Sequence, residues 1–363
     1  MRTVLFAGGG TAGHIEPALA VAREWRARYP EDRCVFVGTE SGLETQLVPG
    51  AHFELRTITK VAIPRTFTPK LFRVPFALSR ALKDAQSVIE DVDLIIGFGG
   101  YVSAPIYLAA KNKKIPYVIH EANAKPGWAN RLGSRFTPYL AVAQPVVGTR
   151  FENALITGIP LRSDVQSTLE HTTDWGIARR SAKRELGFPE GEKLVVVMGG
   201  SQGSIALNAT ISQSLGAFAA RSINVLHSCG AKNALPEASY HYRPVHYINE
   251  MARAYLAADL IIARSGAITC SEVNALGRYA LFIPLPVGNG EQEFNALGLV
   301  EQARAEVLQQ NEFNSQWLAA NIDRLIEKSE SRSPEGSYAD QSAATKIANF
   351  MEFAFHESAE NKK

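Results

Sequence analysis

IIARSGAITCSEVNALGRYALFIPLPVGNGEQEFN, residues 261–295, alternates apolar runs with polar turns in the rhythm of a parallel α/β sheet. The run 259–263 ends in Arg264-Ser265-Gly266, and a helical pattern opens at once. A second run, 279–285, ends in a Pro/Gly/Asn loop, after which another helical pattern carries Glu291, Gln292 and Asn295. In such sheets ligands collect where strand ends meet helix starts. The first amides of a helix lack partners within it and carry the positive end of its dipole, so residues 265–268 suit a phosphate. Glu272 lies six residues past Gly266, about 9 Å along a helix axis at 1.5 Å per residue. That spacing lets a carboxylate grip the two hydroxyls of a ribose whose diphosphate rests on the helix start. The plainer alternative is that Thr269 and Glu272 form a capping box.

The same logic opens both halves of the chain. Residues 3–7 are an apolar run followed by Gly8-Gly9-Gly10-Thr11-Ala12-Gly13-His14, and a helix reads from Pro17 through Tyr29. Residues 194–198 are another run, followed by Gly199-Gly200-Ser201-Gln202-Gly203-Ser204 and a helix from about Ile205. Further runs at 223–228 and 245–248 alternate with helices and lead back to residue 259. Two halves built this way predict two doubly wound, Rossmann-like α/β domains facing across a cleft. Gly158 and Pro160 punctuate the boundary. The expected division is 1–157, 158–340, and a terminal segment 341–363 whose amphipathic helix packs back across the junction.

At 363 residues the chain has room for two such domains. With 46% hydrophobic and 20% charged residues it is an ordinary globular composition, which excludes a disordered chain. A net charge of +2 gives no general pull toward nucleic acid. Cys34, Cys229 and Cys270 are far apart and form no CxxC, so they read as small apolar residues of a reduced protein. Met1-Arg2 lead straight into a strand, unlike a signal peptide. No apolar run approaches the roughly 20 residues that span a bilayer.

Two groups could take a proton. His14 abuts the first glycine loop, and an imidazole there titrates near working pH. The run 116–119 delivers His120-Glu121-Ala122-Asn123 to the same edge, which makes Glu121 the second candidate. Gly97-Phe98-Gly99-Gly100-Tyr101 closes a neighbouring strand with a glycine turn. Asp91-Val92-Asp93 is a DxD but precedes its strand, so its carboxylates read as exposed strand-entry residues rather than metal ligands.

Residues 56–83 hold seven basic residues and no acidic one. Phe72, Phe76 and Arg80 fall at i, i+4 and i+8, a face apart from the stripe of Leu71, Leu78, Leu82, Ala85 and Ile89. An aromatic and basic face suits an anionic membrane surface; a solvated basic face is the alternative.

Taken in order, Gly9-Gly10-Thr11-Ala12-Gly13-His14, Gly97-Phe98-Gly99-Gly100-Tyr101-Val102-Ser103, His120-Glu121-Ala122-Asn123, Gly199-Gly200-Ser201-Gln202-Gly203, Arg264-Ser265-Gly266-Ala267 through Glu272, and Gly290-Glu291-Gln292 closely resemble the MurG family. These are the N-acetylglucosaminyltransferases that make lipid II for peptidoglycan. The resemblance spans nearly the whole chain and implies a GT-B glycosyltransferase. It implies UDP-N-acetylglucosamine as donor and lipid I as acceptor, with a β-1,4 bond formed by inversion and neither metal nor cofactor. The expected place of work is the cytoplasmic face of the plasma membrane, held peripherally.

Carried over by motif, Ser201 and its loop lie near the diphosphate and Ile248 meets the uracil. Ala267, Ile268, Thr269, Cys270 and Ser271 hold the diphosphate, Glu272 the ribose, and Gln292 the sugar hydroxyls. Thr11, Ala12, Gly13, Asn123 and Arg162 complete the donor site from the first half. Glu291 stands where many relatives carry the first of two glutamines.

Three rivals remain on the sequence alone. A UDP-N-acetylglucosamine 2-epimerase shares the plan and the donor but leaves Phe72 and Phe76 unexplained. A dinucleotide-dependent dehydrogenase uses Gly8, Gly10 and Gly13 as GxGxxG with Glu40 as its ribose acid. That acid stands 27 residues after Gly13 rather than about 20, and the second glycine loop is left without work. A non-catalytic nucleotide-sugar sensor at the membrane gives His14 and Glu121 no task.

Overall fold

Near-continuous Val, Ile and Leu runs such as 94–96 and 194–197 are buried on both faces, as parallel strands covered by helices must be. The computed structural model describes residues 1–60, 74–146, 148–287 and 290–360, with the backbone alone at 74–78. They divide into two units, Met1–Arg162 with Asp340–Lys363, and Ser163–Ala339.

In the first unit the strands are β1 (Thr3–Gly8), β2 (Arg33–Gly38), β3 (Glu54–Thr57), β4 (Leu94–Gly99), β5 (Tyr117–Glu121), β6 (Leu140–Val142) and β7 (Leu155–Ile156). They form one sheet in the order β3-β2-β1-β4-β5-β6-β7, all parallel. Alternate residues of β1 feed opposite cores, Val4 and Phe6 into one and Leu5 and Ala7 into the other. The crossovers are α1 (Ala12–Arg28), α2 (Glu44–Gly50), α3 (Val74–Val88), α4 (Ser103–Lys113) and α5 (Trp128–Gly133). The order reverses between β1 and β4, so the turns leaving those strands flank the switch point where ligands bind.

Helix α1 starts five residues before the expected Pro17, which sits inside it. An uncapped glycine-rich entry hides the true start from a reading based on apolar spacing. The proline ring leaves the Gly13 carbonyl without its usual donor four residues on.

The second unit holds α6 (Ser163–His171), α7 (Trp175–Glu185), β8 (Lys193–Met198), α8 (Ile205–Ala219), β9 (Ile223–Ser228), β10 (Tyr242–Val245), α9 (Met251–Ala257) and β11 (Leu260–Ala263). It continues through α10 (Ala267–Ala275), β12 (Ala280–Phe282), α11 (Glu291–Asn295), α12 (Leu297–Glu301), β13 (Ala305–Val307) and α13 (Ser315–Glu330). Its parallel sheet runs β10-β9-β8-β11-β12-β13 and reverses between β8 and β11. Strand β10 is Tyr242–Val245 rather than 245–248. It pairs from Tyr242 against Val225, which leaves Ile248 in the loop beyond.

The chain ends in α14 (Ala343–Glu360), which packs on α1 within the first unit and buries Ile347, Ala348, Met351 and Ala354. At the opposite edge from the site, Asp93 accepts the Thr3 amide at 2.8 Å and Asp91 binds Arg56 at 2.6 Å. The DxD carboxylates are exposed and serve strand entry, as their position implies. Arg56 is thereby engaged in structure.

Candidate active site

The turn from β11 to α10 sets up an anion site. Gly266 is the N-cap in extended backbone (φ −64°, ψ 145°), and among the described residues no N-cap side chain caps the helix. Thr269 therefore lies inside the first turn, and the capping box does not form. The first turn carries no acidic residue, so its amides and dipole face outward uncompensated. Beside them, Ser265 is fully buried, and among the described residues its Oγ has no hydrogen-bond partner. A buried hydroxyl left unsatisfied costs about 1–3 kcal/mol, which a ligand oxygen would recover. Ile268 and Thr269 are half-buried at this tip, while Ala267, Cys270, Ser271 and Glu272 are buried.

Arg264 lies behind the turn. One guanidinium nitrogen donates to the carbonyls of Ile283 and Pro284 at 2.9 and 3.0 Å; the other donates to Ser204 Oγ at 2.8 Å and to Gln310. All four acceptors are neutral, and among the described residues no carboxylate pairs with it. Burial pushes its pKa down, yet a guanidinium keeps its proton. The result is a buried positive charge tying the β11 turn to the second glycine loop.

That loop connects β8 to α8. Gly200 and Gly203 take φ +89° and +73°, and a Cβ on Gly203 would fall 2.0 Å from the Cys229 carbonyl. Only glycine fits there. Ser201 sits at the loop tip, half-buried, and Ser204 caps α8 through the Leu207 amide. Asn295 donates to the Ser265 carbonyl at 3.2 Å and fixes α11 to the turn. Gln292 Oε1 accepts the Leu285 amide at 3.0 Å, so this side chain braces its own loop. Ile248 is buried just past β10.

In the first unit the turns after β1 and β4 pack backbone to backbone. Gly99 and Gly100 have φ +89° and +84°; a Cβ on Gly100 would lie 2.6 Å from the Gly9 carbonyl and 3.3 Å from His14 Nδ1. The His14 ring is seated in this junction, half-buried, with Nδ1 3.1 Å from Thr11 Oγ1. Burial lowers its pKa; a hydrogen bond to the Gly9 carbonyl and the charge of Glu44 act the other way. The net shift is downward, which favours the neutral ring that can accept a proton. Thr11 is exposed, and Ala12 and Gly13 are half-buried beside it.

Glu121 is placed differently. Its Oε1 accepts the Asn123 amide and Nδ2 at 2.9 and 3.0 Å, and its Oε2 accepts the Gly127 amide and Asn130 Nδ2 at 2.9 Å each. Burial pushes its pKa up, against those four donors. Asn130 in turn accepts the Tyr107 hydroxyl at 2.8 Å. This carboxylate shapes the 122–127 loop. His120 is buried with Nε2 3.0 Å from the Gly158 carbonyl, its pKa pushed down to about 4 by burial. Arg162 reaches Glu16 of α1 at 3.5 Å.

Of the membrane candidates, Arg80 is exposed on α3, the backbone alone is described at Phe76, and Phe72 lies outside the described residues. Sequence reasoning passed over Arg264 as a site builder, and also Glu44 and Asn130. A basic residue directly ending a buried strand was the signal available for Arg264. For Asn130 and Glu44, on helices away from any glycine motif, the sequence offers none.

Residues 4–142 match the glycosyltransferase family 28 N-terminal domain and residues 194–351 the C-terminal domain of that family. The chain is 42% identical to the UDP-N-acetylglucosamine–N-acetylmuramyl-(pentapeptide) pyrophosphoryl-undecaprenol N-acetylglucosamine transferase of Frankia casuarinae, over 98% of this chain and 96% of the relative. Among solved structures it is similar to Acinetobacter baumannii MurG, with TM-score 0.71 and 26% identity over 97% of this chain and 100% of that one. A Listeria monocytogenes structure assigned as a UDP-N-acetylglucosamine 2-epimerase shares the fold alone, with TM-score 0.68 and 12% identity over 98% and 97% of the two chains.

Proposed function

Because the chain belongs to glycosyltransferase family 28 and, within it, to the MurG family, we propose that it moves N-acetylglucosamine from UDP-N-acetylglucosamine to lipid I, forming lipid II. One observation carries the donor half of this reading. The uncapped start of α10, with the orphaned Ser265 hydroxyl beside it and the Arg264 charge behind it, is a built receptor for a diphosphate.

In this reading the second unit holds the donor. The start of α10, residues 267–271, with its first-turn amides, and the Ser201 loop take the diphosphate, Glu272 the ribose, Ile248 the uracil and Gln292 the sugar hydroxyls. The first unit serves the acceptor. His14 takes the proton from the C4 hydroxyl of the muramoyl sugar as that oxygen attacks the anomeric carbon. The bond from that carbon to the diphosphate oxygen breaks on the opposite face, its electron pair leaves with UDP, and configuration inverts. Charge growing on the departing diphosphate meets amides already aimed at it, which need no reorganisation during the step. Thr11, Ala12, Gly13, Asn123 and Arg162 are the first unit's proposed donor residues. Glu121, saturated by its loop, keeps Asn123 in place.

The acceptor's polyprenyl chain requires contact with a bilayer surface. No described helix is long and apolar enough to cross a membrane. The basic and aromatic stretch of sequence carrying Phe72, Phe76 and Arg80 is the proposed point of contact. Incubating the protein with labelled UDP-N-acetylglucosamine and a short-chain lipid I analogue tests the function. Labelled disaccharide on the lipid is expected. UDP binding with no product, or release of an epimerised sugar without acceptor, would overturn the reading.

A further inference from the structure

Glu44 opens α2 yet is fully buried, and among the described residues no cation pairs with it. Its Oε2 accepts the Gly10 amide at 3.0 Å; its Oε1 accepts the Thr39 amide at 2.8 Å and the Thr39 hydroxyl at 3.0 Å. Three glycines from separate stretches leave room for it. A Cβ on Gly38 would come within 2.3 Å of Glu44 Cγ, one on Gly42 within 2.0 Å of Oε2, and one on Gly9 within 3.1 Å of Oε1. A buried charge held only by amides and a hydroxyl is expensive, and a chain seeking stability alone replaces it with an apolar side chain. The group also sits under the loop whose next helical turn carries His14.

We infer that Glu44 is a positioning residue for the transfer reaction: it clamps the first glycine loop through the Gly10 amide, so that the Gly9 carbonyl and Thr11 meet the His14 ring, and it keeps a negative charge behind that ring. This rests on His14 acting as the base. Geometry supplies the first part, since Gly10 is held while Gly9 and Thr11, its neighbours on either side, contact the imidazole. The second part follows from the surroundings of the ring. On α1, Glu16 is engaged by Arg162. The β4–α4 turn brings the Gly99 and Gly100 backbone against the ring. Gly9 lies between the two groups: a Cβ on it would come 3.1 Å from Glu44 Oε1, while its carbonyl and His14 Nδ1 meet at Gly100. The Glu44 charge thus stands one residue behind the ring and favours the imidazolium formed during proton transfer.

Glu44→Gln keeps the shape and removes the charge. Gly42→Ala keeps the charge but pushes the carboxylate off the Gly10 amide, and it guards against a fold lost in the first variant. Both proteins are checked by thermal melting. Their His14 ring is then titrated by NMR with labelled histidine, and turnover is followed against pH. We expect the His14 titration in Glu44→Gln to move to lower pH, the acid limb of kcat to move with it, and kcat to fall about 10- to 100-fold with the donor KM unchanged. A merely structural Glu44 would lower the melting temperature and leave both titrations in place; that result overturns the inference. Failure of the underlying reading looks different: His14→Ala turning over normally would remove the base itself, whatever Glu44 does to the ring.

Discussion

Gly100→Ala isolates the contact that seats the proposed base. The new methyl would stand 2.6 Å from the Gly9 carbonyl oxygen, whereas carbon–oxygen contacts settle at roughly 3.3–3.6 Å. One turn must therefore retreat by about 0.7–1 Å, taking the Gly9 carbonyl and the neighbouring His14 ring out of register. Misplacement on the order of 1 Å costs about 100-fold in rate. The φ of +84° adds backbone strain, roughly 1–2 kcal/mol for a residue with a Cβ. Gly10→Ala serves as the control for that part, because its φ is +88° and nothing lies within 4 Å of its Cβ. Strain alone should lower its melting temperature by roughly 2–8 °C, at about 2–4 °C per kcal/mol for a unit of this size. Steady-state kinetics at saturating donor should show kcat for Gly100→Ala down about 100-fold with UDP affinity unchanged, and a larger melting shift than the control. Wild-type turnover in a folded Gly100→Ala protein would refute the packing argument.

Three further outcomes are expected. Glu272→Ala should weaken UDP binding by about 10- to 150-fold, the worth of about 1.5–3 kcal/mol for hydrogen bonds to a charged group; calorimetry giving an unchanged Kd would remove the ribose assignment. His227 lies buried between Tyr242 at 2.9 Å and Asn208 at 3.1 Å, and burial lowers its pKa to about 4. The unfolded chain then binds the extra proton, so stability is fully present above pH 6.5 and is lost toward pH 4, by up to about 1.4 kcal/mol per unit. Urea midpoints should fall over that range, and His227→Gln should flatten the slope; an unaltered slope would assign the acid sensitivity elsewhere. Replacing Phe72, Phe76 and Arg80 with Ser should reduce sedimentation with anionic vesicles, and undiminished binding would move the membrane contact to another surface.

Strand–turn–helix units were legible because their chemistry is local. Apolar runs ending in Gly8–Gly10, Gly199–Gly203 or Arg264-Ser265-Gly266 read as parallel strands handing over to helices, and each is one. Boundaries set by pairing rather than composition were less legible. Strand β10 is defined by its register on β9, which displaced it from the apolar residues 245–248. The start of α1 was hidden by glycines that carry no periodic signal.

Among site residues, the open end of α10 followed from the sequence because helix termini always leave amides unpaired. The supports of the loops did not. Glu44, Asn130 and Arg264 act through partners 34, 9 and 60 residues away in the chain, on Gly10, Glu121 and Ser204. Only the folded sheet brings those pairs together. For the same reason Glu121 reads as a free acid in sequence, while in the structure its four hydrogen bonds make it a loop brace.

The division of labour between the two units is what the rest hangs on, and His14→Ala addresses it directly. Turnover with a short-chain lipid I analogue and the Kd for UDP are measured on the same preparation. The account expects kcat to fall about 100- to 10,000-fold, as for a lost general base, with UDP held as tightly as by the unaltered protein. Near-normal turnover, or nucleotide affinity lost along with the rate, would contradict it.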